Sequence, residues 1–261
     1  MKNRPFSAVL CLLLLAACEL AFALEHNRLR FVTLDFSPFV YAENGVVAGP
    51  SADIISAVCK RMAVSCSFEL YPWRRAQELV KAGEAEGMMV VGRNPEREKW
   101  VRFSPPMFQT EYGYFVQTKN ELHYRDPANL EGYYVGVFAP SNTANSLRKT
   151  QKLMIENGLK GIEIDERPDD DSGFKKLAVG RLDAVYSNRD RGYQIIRDHN
   201  LADKVRYAGA DKQLHYFAGF ARDGSNQNLL DEFDATYRQL YQEGVVDAIM
   251  AKYQLQSAEI K

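Results

Sequence analysis

The sequence predicts an α/β protein built from two lobes with a cleft between them. Apolar stretches of strand length alternate with stretches in which apolar residues recur every three or four positions, the pattern of strand–helix repeats around a largely parallel sheet. The alternation runs from residue 29 to residue 91 and starts again at residue 133. Two extended, aromatic-rich segments, 111–117 and 214–221, bracket the second unit. They predict that the chain crosses between the lobes twice, through a double-strand hinge.

Turn residues separate the predicted strands and helices of the first unit. Asn44-Gly45 separates two extended pieces and predicts a hairpin, because Asn-Gly suits a tight two-residue turn. Apolar residues at helical spacing predict the helices, and Gly83 ends the second of them. In chain order, the predicted elements are a strand at 29–34, a helix at 51–62, a strand at 67–71, a helix at 73–82 and a strand at 87–91.

The second unit repeats this pattern, with Gly158 and Gly180 ending two of its helices. Its predicted elements are strands at 133–138, 161–164 and 183–186, helices at 142–157, 171–179 and 189–199, and extended segments at 205–208 and 214–221. Two helices, 226–241 and 245–253, then return the chain to the first unit. We therefore expect lobe 1 at 24–116 and 214–261, with lobe 2 inserted at 117–213.

The N-terminal segment has the layout of an export signal. Lys2 and Arg4 precede an apolar stretch at 6–17, and Ala21-Phe22-Ala23 is a small-x-small cleavage site that would leave a mature chain starting at residue 24. A lipoprotein signal is the alternative, since Leu15-Ala16-Ala17-Cys18 would acylate Cys18. Both alternatives place the protein outside the cytoplasm. Residues 1–23 are therefore interpreted as a signal peptide.

Charge and cysteine usage narrow the function classes. The formal charge is −1, and it becomes −2 when the two cations and one anion of the leader are removed, so nucleic-acid binding is not expected. Cys59 and Cys66 are the mature cysteines, and in an oxidising compartment they form a candidate disulfide, with two buried free thiols as the alternative. The four histidines are scattered, so no zinc site or cofactor is expected.

The segment from Asn94 to Pro106 is the most informative motif. A short polar turn presents Arg97 directly after the predicted strand at 87–91, and an aromatic-serine-proline stretch follows. A guanidinium grips a carboxylate with two parallel hydrogen bonds and keeps its charge, so this layout suits an anion site at the mouth of a cleft. The alternative is an arginine paired on the surface with Glu96, Glu98 or Glu111.

Five segments in register carry a family resemblance that covers 29–254. They are Phe36-Ser37-Pro38-Phe39 with Asn44-Gly45 and Gly49, the cysteine segment 59–66, the segment 94–106, Gly180-Arg181-Leu182-Asp183-Ala184-Val185, and Gln242-Glu243-Gly244 followed by Lys252-Tyr253. The chain resembles the extracellular solute-binding proteins, family 3, that serve polar amino-acid ABC transporters. The resemblance implies a type II periplasmic-binding-protein fold and a Cys59–Cys66 disulfide.

The resemblance also implies a set of ligand contacts. Arg97 takes the position that pairs with a ligand carboxylate, and Phe36 takes that of an aromatic side chain lying over the ligand. Trp73, at a helix start, is a further aromatic candidate, although core packing is the commoner fate of aromatic residues. Gly92 and Asn94, which precede the arginine, and Asn188, after the strand at 183–186, are further candidate ligand contacts. The second lobe contributes Ser141, Asn142 and Thr143 at a helix start, where free amides and hydroxyls favour an anion and where a capping role is equally compatible.

Two departures from the family pattern concern the other end of the ligand. Asn188 stands where relatives carry the acid that receives an α-ammonium group, and the stretch before Gly92 lacks the usual hydroxyls. The site is thus expected to keep its carboxylate end and to lack its ammonium end, with Asp190 or Asp35 as candidate substitutes. Adjacent acids at 169–171 are interpreted as helix-capping residues rather than catalytic ones.

Together these observations predict an exported, monomeric binding protein without catalytic activity. It would close over a small anionic or zwitterionic solute and deliver it to the membrane permease of an ABC importer. Two alternatives share the fold: a periplasmic sensory receptor and a cyclohexadienyl-dehydratase-like enzyme. The enzyme would need an acid or base in the cleft, and with Asn188 in place of the acid the matched motifs offer none.

Overall fold

The computed structural model describes residues 28–224 and 227–260. The predicted leader at 1–23, including Cys18, lies outside the described residues. The strands are β1 (Arg28–Thr33), β2 (Tyr41–Glu43), β3 (Val46–Ala48), β4 (Ser65–Leu70), β5 (Gly87–Gly92), β6 (Val101–Phe103), β7 (Phe108–Gln117), β8 (Tyr134–Phe138), β9 (Glu163–Arg167), β10 (Ala184–Asn188) and β11 (Val205–Ala221).

The helices follow the same alternation. They are α1 (Pro50–Arg61), α2 (Trp73–Lys81), α3 (Pro95–Glu98), α4 (Asn142–Glu156), α5 (Asp170–Ala178), α6 (Arg189–Asp198), α7 (Gln227–Gln242) and α8 (Val245–Lys252), with a 3-10 turn at Pro127–Leu130. The described part of the chain contains no helix with the length and apolar character that crossing a bilayer requires.

One mixed sheet runs through both lobes in the order β4-β1-β5-β11-β7-β10-β8-β9, and β6 pairs with β11. In the first half, β4 and β5 lie parallel on either side of β1. In the second half, β10 and β9 lie parallel on either side of β8. Each lobe thus has the parallel core that its strand–helix alternation predicts, and the two-lobed α/β fold class is confirmed.

Strands β7 and β11 join the two halves. They pair antiparallel from Gln117↔Val205 to Phe108↔Tyr216, and the register shifts twice within this pairing. One end of β11 pairs with β5 in the first half, and one end of β7 pairs with β10 in the second. This is the double-strand hinge that the extended segments predict. The residue bounds given above for the lobes stay a prediction.

Several strands differ from their predicted extents, and in two of them pairing with a neighbouring strand explains the difference. The segments 205–208 and 214–221 form one continuous strand, β11, because its long ladder with β7 keeps the intervening Gly209–Gln213 extended through two bulges. The strand predicted at 161–164 begins two residues later and ends at Arg167. Its polar composition weakens the local signal, and pairing with β8 determines its bounds.

The carboxyl ends of the parallel strands in both halves meet at the cleft. β1 leads to Leu34 and β4 leads to α2, while β8 leads to Ser141 and β9 leads to α5. Ligand sites in such sheets form beyond the carboxyl ends of the strands. The cleft between the lobes is therefore the expected position of the ligand site.

A disulfide joins the end of α1 to β4. Cys59 and Cys66 are bonded, with their Cα atoms 6.2 Å apart, and Cys59 is buried. The predicted pairing is therefore confirmed, and the free-thiol alternative is wrong.

We expect the double substitution Cys59→Ala/Cys66→Ala to lower the free energy of unfolding by about 2.5 kcal/mol, the loop-closure entropy of so short a loop. Urea denaturation followed by circular dichroism measures this change. Wild-type protein unfolded in a strong reductant is the matched control and should behave like the variant. Equal midpoints for the wild type with and without reductant would contradict a stabilising role.

Candidate functional site

A small cavity of about 60 Å³ lies between the lobes, with its lining drawn from both. Among the described residues that line it, Arg97 and Asp170 are the two with charged side chains. The full lining is Leu34, Phe36, Trp73, Val90, Gly92, Arg97, Tyr112, Phe138, Ser141, Asn142, Thr143, Asp170, Ser187, Asn188 and Tyr216. Eight of the nine predicted contact residues are in this set, and Asn94 is outside it.

Arg97 lies on the short helix α3 and is only 8% exposed. Asn94 caps this helix, because its Oδ1 accepts a hydrogen bond from the backbone N–H of Arg97 (2.7 Å). The guanidinium donates from Nη1 to the carbonyl of Gly92 (2.7 Å), and its Cζ lies 5.0 Å from the ring centroid of Trp73. Backbone and aromatic contacts therefore fix its direction.

No ion pair within 4 Å joins Arg97 to a carboxylate in the described part of the chain. The three acids proposed as surface partners are paired elsewhere, in Lys99–Glu96 (2.8 Å), Arg93–Glu98 (3.8 Å) and Arg189–Glu111 (3.2 Å). The surface-arginine alternative is therefore wrong. Burial lowers the pKa of Arg97 from its ordinary value, and nearby Tyr112 and Tyr216 oppose that shift. Leaving a buried guanidinium without a counter-charge is costly in free energy.

The wall contributed by lobe 2 is the start of α4. Ser141 caps this helix, since its Oγ accepts from the backbone N–H of Ala144 (3.0 Å), and its hydroxyl also contacts Thr143 Oγ1 (2.6 Å). The amino end of a 15-residue helix carries partial positive charge and favours an anion. Capping and lining the cavity thus coexist in Ser141, as expected for a capped helix start.

Asn94 and Asn142 join the two walls. Asn94 Nδ2 donates to Asn142 Oδ1 across the cleft (2.6 Å). Asn94 therefore acts on the cavity indirectly, through the cap beneath Arg97 and through this bond between the lobes. Asn142 also lines the cavity itself.

Strained backbone adjoins the arginine. Val90, in β5, has φ +57°, a left-handed conformation that is rare for a β-branched residue and costs about 1–3 kcal/mol. The pairing of β5 with β11 shifts register between Met88 and Val91, so Val90 lies in a bulge. Bulges recur beside binding sites because they redirect a strand. Here the bulge lies two residues before the Gly92 carbonyl that accepts from Arg97.

The hinge side of the cavity is aromatic and amide-rich. Asn188 caps α6, with Oδ1 accepting from the N–H of Arg191 (3.0 Å). Its Nδ2 donates to Thr110 Oγ1 (2.8 Å) and to the hydroxyl of Tyr216 (3.4 Å). Burial raises the pKa of Tyr216, which keeps the phenol neutral. The amide of Asn188 is therefore engaged in holding the hinge side together.

Two aromatic residues lie over the cavity from lobe 1. Phe36 stacks on Phe39 (centroids 5.7 Å apart) and meets Tyr216 edge to face (6.0 Å). Trp73 opens α2 and lies against the Arg97 guanidinium. Both side chains line the cavity, as the sequence predicts.

Asp170 is a lining residue that the sequence interpretation missed. Asp169 does cap α5 as expected, with Oδ1 accepting from the N–H of Ser172 (2.6 Å). Asp170 instead is buried, and its Oδ1 accepts from Ser187 Oγ (2.9 Å). Burial raises the pKa of Asp170, and the cation of Arg191 opposes that shift. Its position three residues after a parallel strand was the signal that could have found it.

The two acids proposed as substitutes lie elsewhere. Asp190 Oδ2 accepts from Thr110 Oγ1 (2.7 Å), and its Oδ1 is 3.3 Å from Arg189. It is absent from the described lining. Asp35 lines a second, larger cavity that adjoins the first and shares Phe36, Trp73 and Asp170 with it.

Comparison with known proteins matches this architecture. A model of the bacterial extracellular solute-binding proteins, family 3, matches residues 29–256. The L-cystine-binding protein TcyJ of Escherichia coli (strain K12) is 21% identical over 220 residues, covering 84% of this chain and 79% of that protein. The arginine-binding periplasmic protein of Mannheimia haemolytica is 24% identical over 223 residues, covering 84% and 87%.

A solved structure agrees on the fold. The crystal structure of a histidine kinase sensor domain with similarity to periplasmic binding proteins has a TM-score of 0.77 at 19% identity, covering 89% of this chain and 97% of that domain. At this identity the likeness shows the fold alone, which is the type II fold of periplasmic binding proteins. Since the family model spans nearly all described residues, the chain belongs to the bacterial extracellular solute-binding proteins, family 3.

Proposed function

We propose that this solute-binding protein captures a small molecule bearing a carboxylate, and that Arg97 receives the carboxylate. The observation that carries the proposal is the burial of Arg97 in a cavity between the lobes with no carboxylate partner among the described residues. Leaving a charge buried and unpaired costs several kcal/mol. A fold retains such a charge where a ligand supplies the partner.

The surroundings of Arg97 favour the same ligand chemistry. The amino end of α4, with Ser141 and Thr143, faces the cavity from the other lobe. Donors from two directions would then surround one carboxylate, and charge-assisted hydrogen bonds of this type are about twice as strong as neutral ones. The Asn94–Asn142 bond would help to hold the lobes together over the bound solute.

Export and delivery to a permease complete the proposal. The leader predicted at 1–23 would send the protein to the periplasm, and an ABC importer would receive the solute. Support comes from the family and from a relative named as a periplasmic arginine-binding protein. A sensory role is the second candidate, since a sensor domain shares the fold, but that likeness extends to the fold alone.

We propose no turnover. Asp170 is the one carboxylate in the described lining of the cavity, which contains no histidine, lysine or cysteine. A dehydratase would need an acid and a base placed on the substrate. Incubation with prephenate or arogenate should therefore leave the substrate unchanged.

A thermal-shift screen tests the proposal. Amino acids, dipeptides and small carboxylates are each added to the purified protein, and the matched control for each compound is its methyl ester. A ligand at 100 times its Kd stabilises the folded state by about 2.7 kcal/mol, so Tm should rise by about 5 °C or more for a carboxylate that binds. The ester should give no rise. The proposal would be contradicted if only uncharged solutes raised Tm, or if the esters raised Tm as much as the free acids.

A further inference from the structure

We propose that Asp170 recognises a cationic nitrogen of the ligand, which makes the ligand a zwitterion; this inference rests on the proposed function of the Arg97 cavity. The cavity contains charges of both signs. Within the described lining, Arg97 and Asp170 are the charged side chains, and they have opposite signs. Arg97 comes from lobe 1 and Asp170 from lobe 2. A ligand held between the lobes therefore meets one basic side chain from lobe 1 and one acidic side chain from lobe 2.

Asp170 is buried but has acceptor capacity to spare. It is 8% exposed, and among the described side chains Ser187 Oγ is its one hydrogen-bond donor (2.9 Å). Arg191 is the cation near it, with Nε 3.9 Å from Oδ2, and the guanidinium of Arg191 donates instead to Asp171 from Nη2 (2.8 Å). A carboxylate offers about four lone-pair sites. Oδ2 of Asp170 is thus open to a further, shorter donor.

The expected cation-binding position does not compete for this role. The Asn188 side chain is neutral, and both ends of its amide are engaged by Arg191, Thr110 and Tyr216. Ser187, the residue before it on β10, holds Asp170 in place. The carboxylate that faces the cavity therefore lies at the start of α5, and the end of β10 carries a neutral amide.

Asp170 also lies where two cavities join. It lines the cavity of Arg97 and the larger adjoining one, whose volume is about 520 Å³. Two sources of the cationic nitrogen are compatible with that position: the α-ammonium group of an amino acid and a cationic side chain that extends outward. Both offer N–H donors to a carboxylate, and the probes below distinguish them.

The test compares each amino acid with the same molecule lacking its α-amino group. Isothermal titration measures Kd for L-arginine, L-glutamine, L-histidine and L-cystine against δ-guanidinovalerate, glutaramate, imidazolepropionate and dithiodipropionate. The proteins are the wild type, Asp170→Asn and the control Asp198→Asn, which removes an exposed carboxylate on α6 that lines neither cavity. Thermal denaturation of each protein without ligand checks that it is folded.

For the wild type, we expect at least one amino acid to bind at least tenfold more tightly than its deamino partner. In Asp170→Asn that preference should vanish through weaker binding of the amino acid, with the deamino acid unaffected, and Asp198→Asn should behave as the wild type. If L-arginine alone loses affinity in Asp170→Asn and δ-guanidinovalerate loses as much, the side-chain cation is the group recognised.

Three results would overturn the inference. They are equal binding of amino acids and deamino acids by the wild type with no loss for L-arginine or δ-guanidinovalerate in Asp170→Asn, an unchanged preference in a folded Asp170→Asn, and binding of carboxylates that carry no cation with no binding of amino acids. Arg97→Met separates this failure from that of the proposed function. If Arg97→Met still binds the same carboxylates, the carboxylate site itself is wrong; if binding is lost while the Asp170→Asn result is negative, only the Asp170 inference fails.

Discussion

Arg97→Met is expected to abolish ligand binding while leaving the unliganded protein at least as stable as the wild type. Ligand affinity should fall by more than 100-fold, because truncating one partner of a buried charge pair costs about 3 kcal/mol or more. The free energy of unfolding without ligand should stay level or rise by about 1–2 kcal/mol, because methionine removes a buried charge that has no carboxylate partner among the described residues. Thermal denaturation with and without the best compound from the screen measures both quantities.

A loss of ligand affinity combined with an unchanged or higher free energy of unfolding identifies Arg97 as a binding residue. An arginine that merely supports the fold would lower Tm when replaced, since Trp73 and the Gly92 carbonyl would lose a contact. Arg93→Met is the matched control, because Arg93 is exposed, pairs with Glu98 and is absent from the described lining. It should keep the full response to ligand. A response to ligand that survives in Arg97→Met would show that the carboxylate binds elsewhere.

Gly113→Ala is expected to lower the free energy of unfolding by about 3 kcal/mol or more, through a clash inside the hinge. Gly113 lies in β7, and a Cβ there would come closer than 3.0 Å to the hydroxyl of Tyr207 and to the carbonyl oxygen of Gly209. Both groups belong to β11 at one of its bulges, and a backbone carbonyl has little room to move. Urea denaturation measures the change.

Gly173→Ala is the control for this prediction. Gly173 lies in α5, and its added Cβ would approach Val185 at an ordinary 3.6 Å. Alanine is the better helix former, so stability should be unchanged or higher by up to about 1 kcal/mol. If both variants unfold at the same urea concentration, β7 and β11 tolerate a side chain at the hinge and the packing described for them is wrong.

The fold was predictable because its signals are local. Strand–helix alternation, the glycine after each helix and the Asn44-Gly45 turn act over a few residues, and the structure repeats them in order. The continuous course of β11 was not predictable in the same way. Its middle, Gly209–Gln213, has little strand propensity of its own and is extended because β7 lies beside it. Tertiary pairing there outweighs local preference.

The carboxylate end of the site was also predictable, because Arg97 belongs to a compact motif after a buried strand. Asp170 was not, because three adjacent acids before a helix have the composition of a cap, and only Asp169 has that role. Asn188, by contrast, could be singled out from the sequence as a departure from the family, but its contacts could not be predicted. Its hydrogen bonds to Thr110 and Arg191 depend on strands and helices distant in the chain.

A crystal structure with the tightest-binding compound from the thermal-shift screen tests the central claim most directly. We expect electron density for the ligand between the lobes, with its carboxylate oxygens within about 3.2 Å of the Arg97 guanidinium nitrogens. A ligand bound outside the cavity, or one whose carboxylate points away from Arg97 while another group contacts the guanidinium, would contradict it.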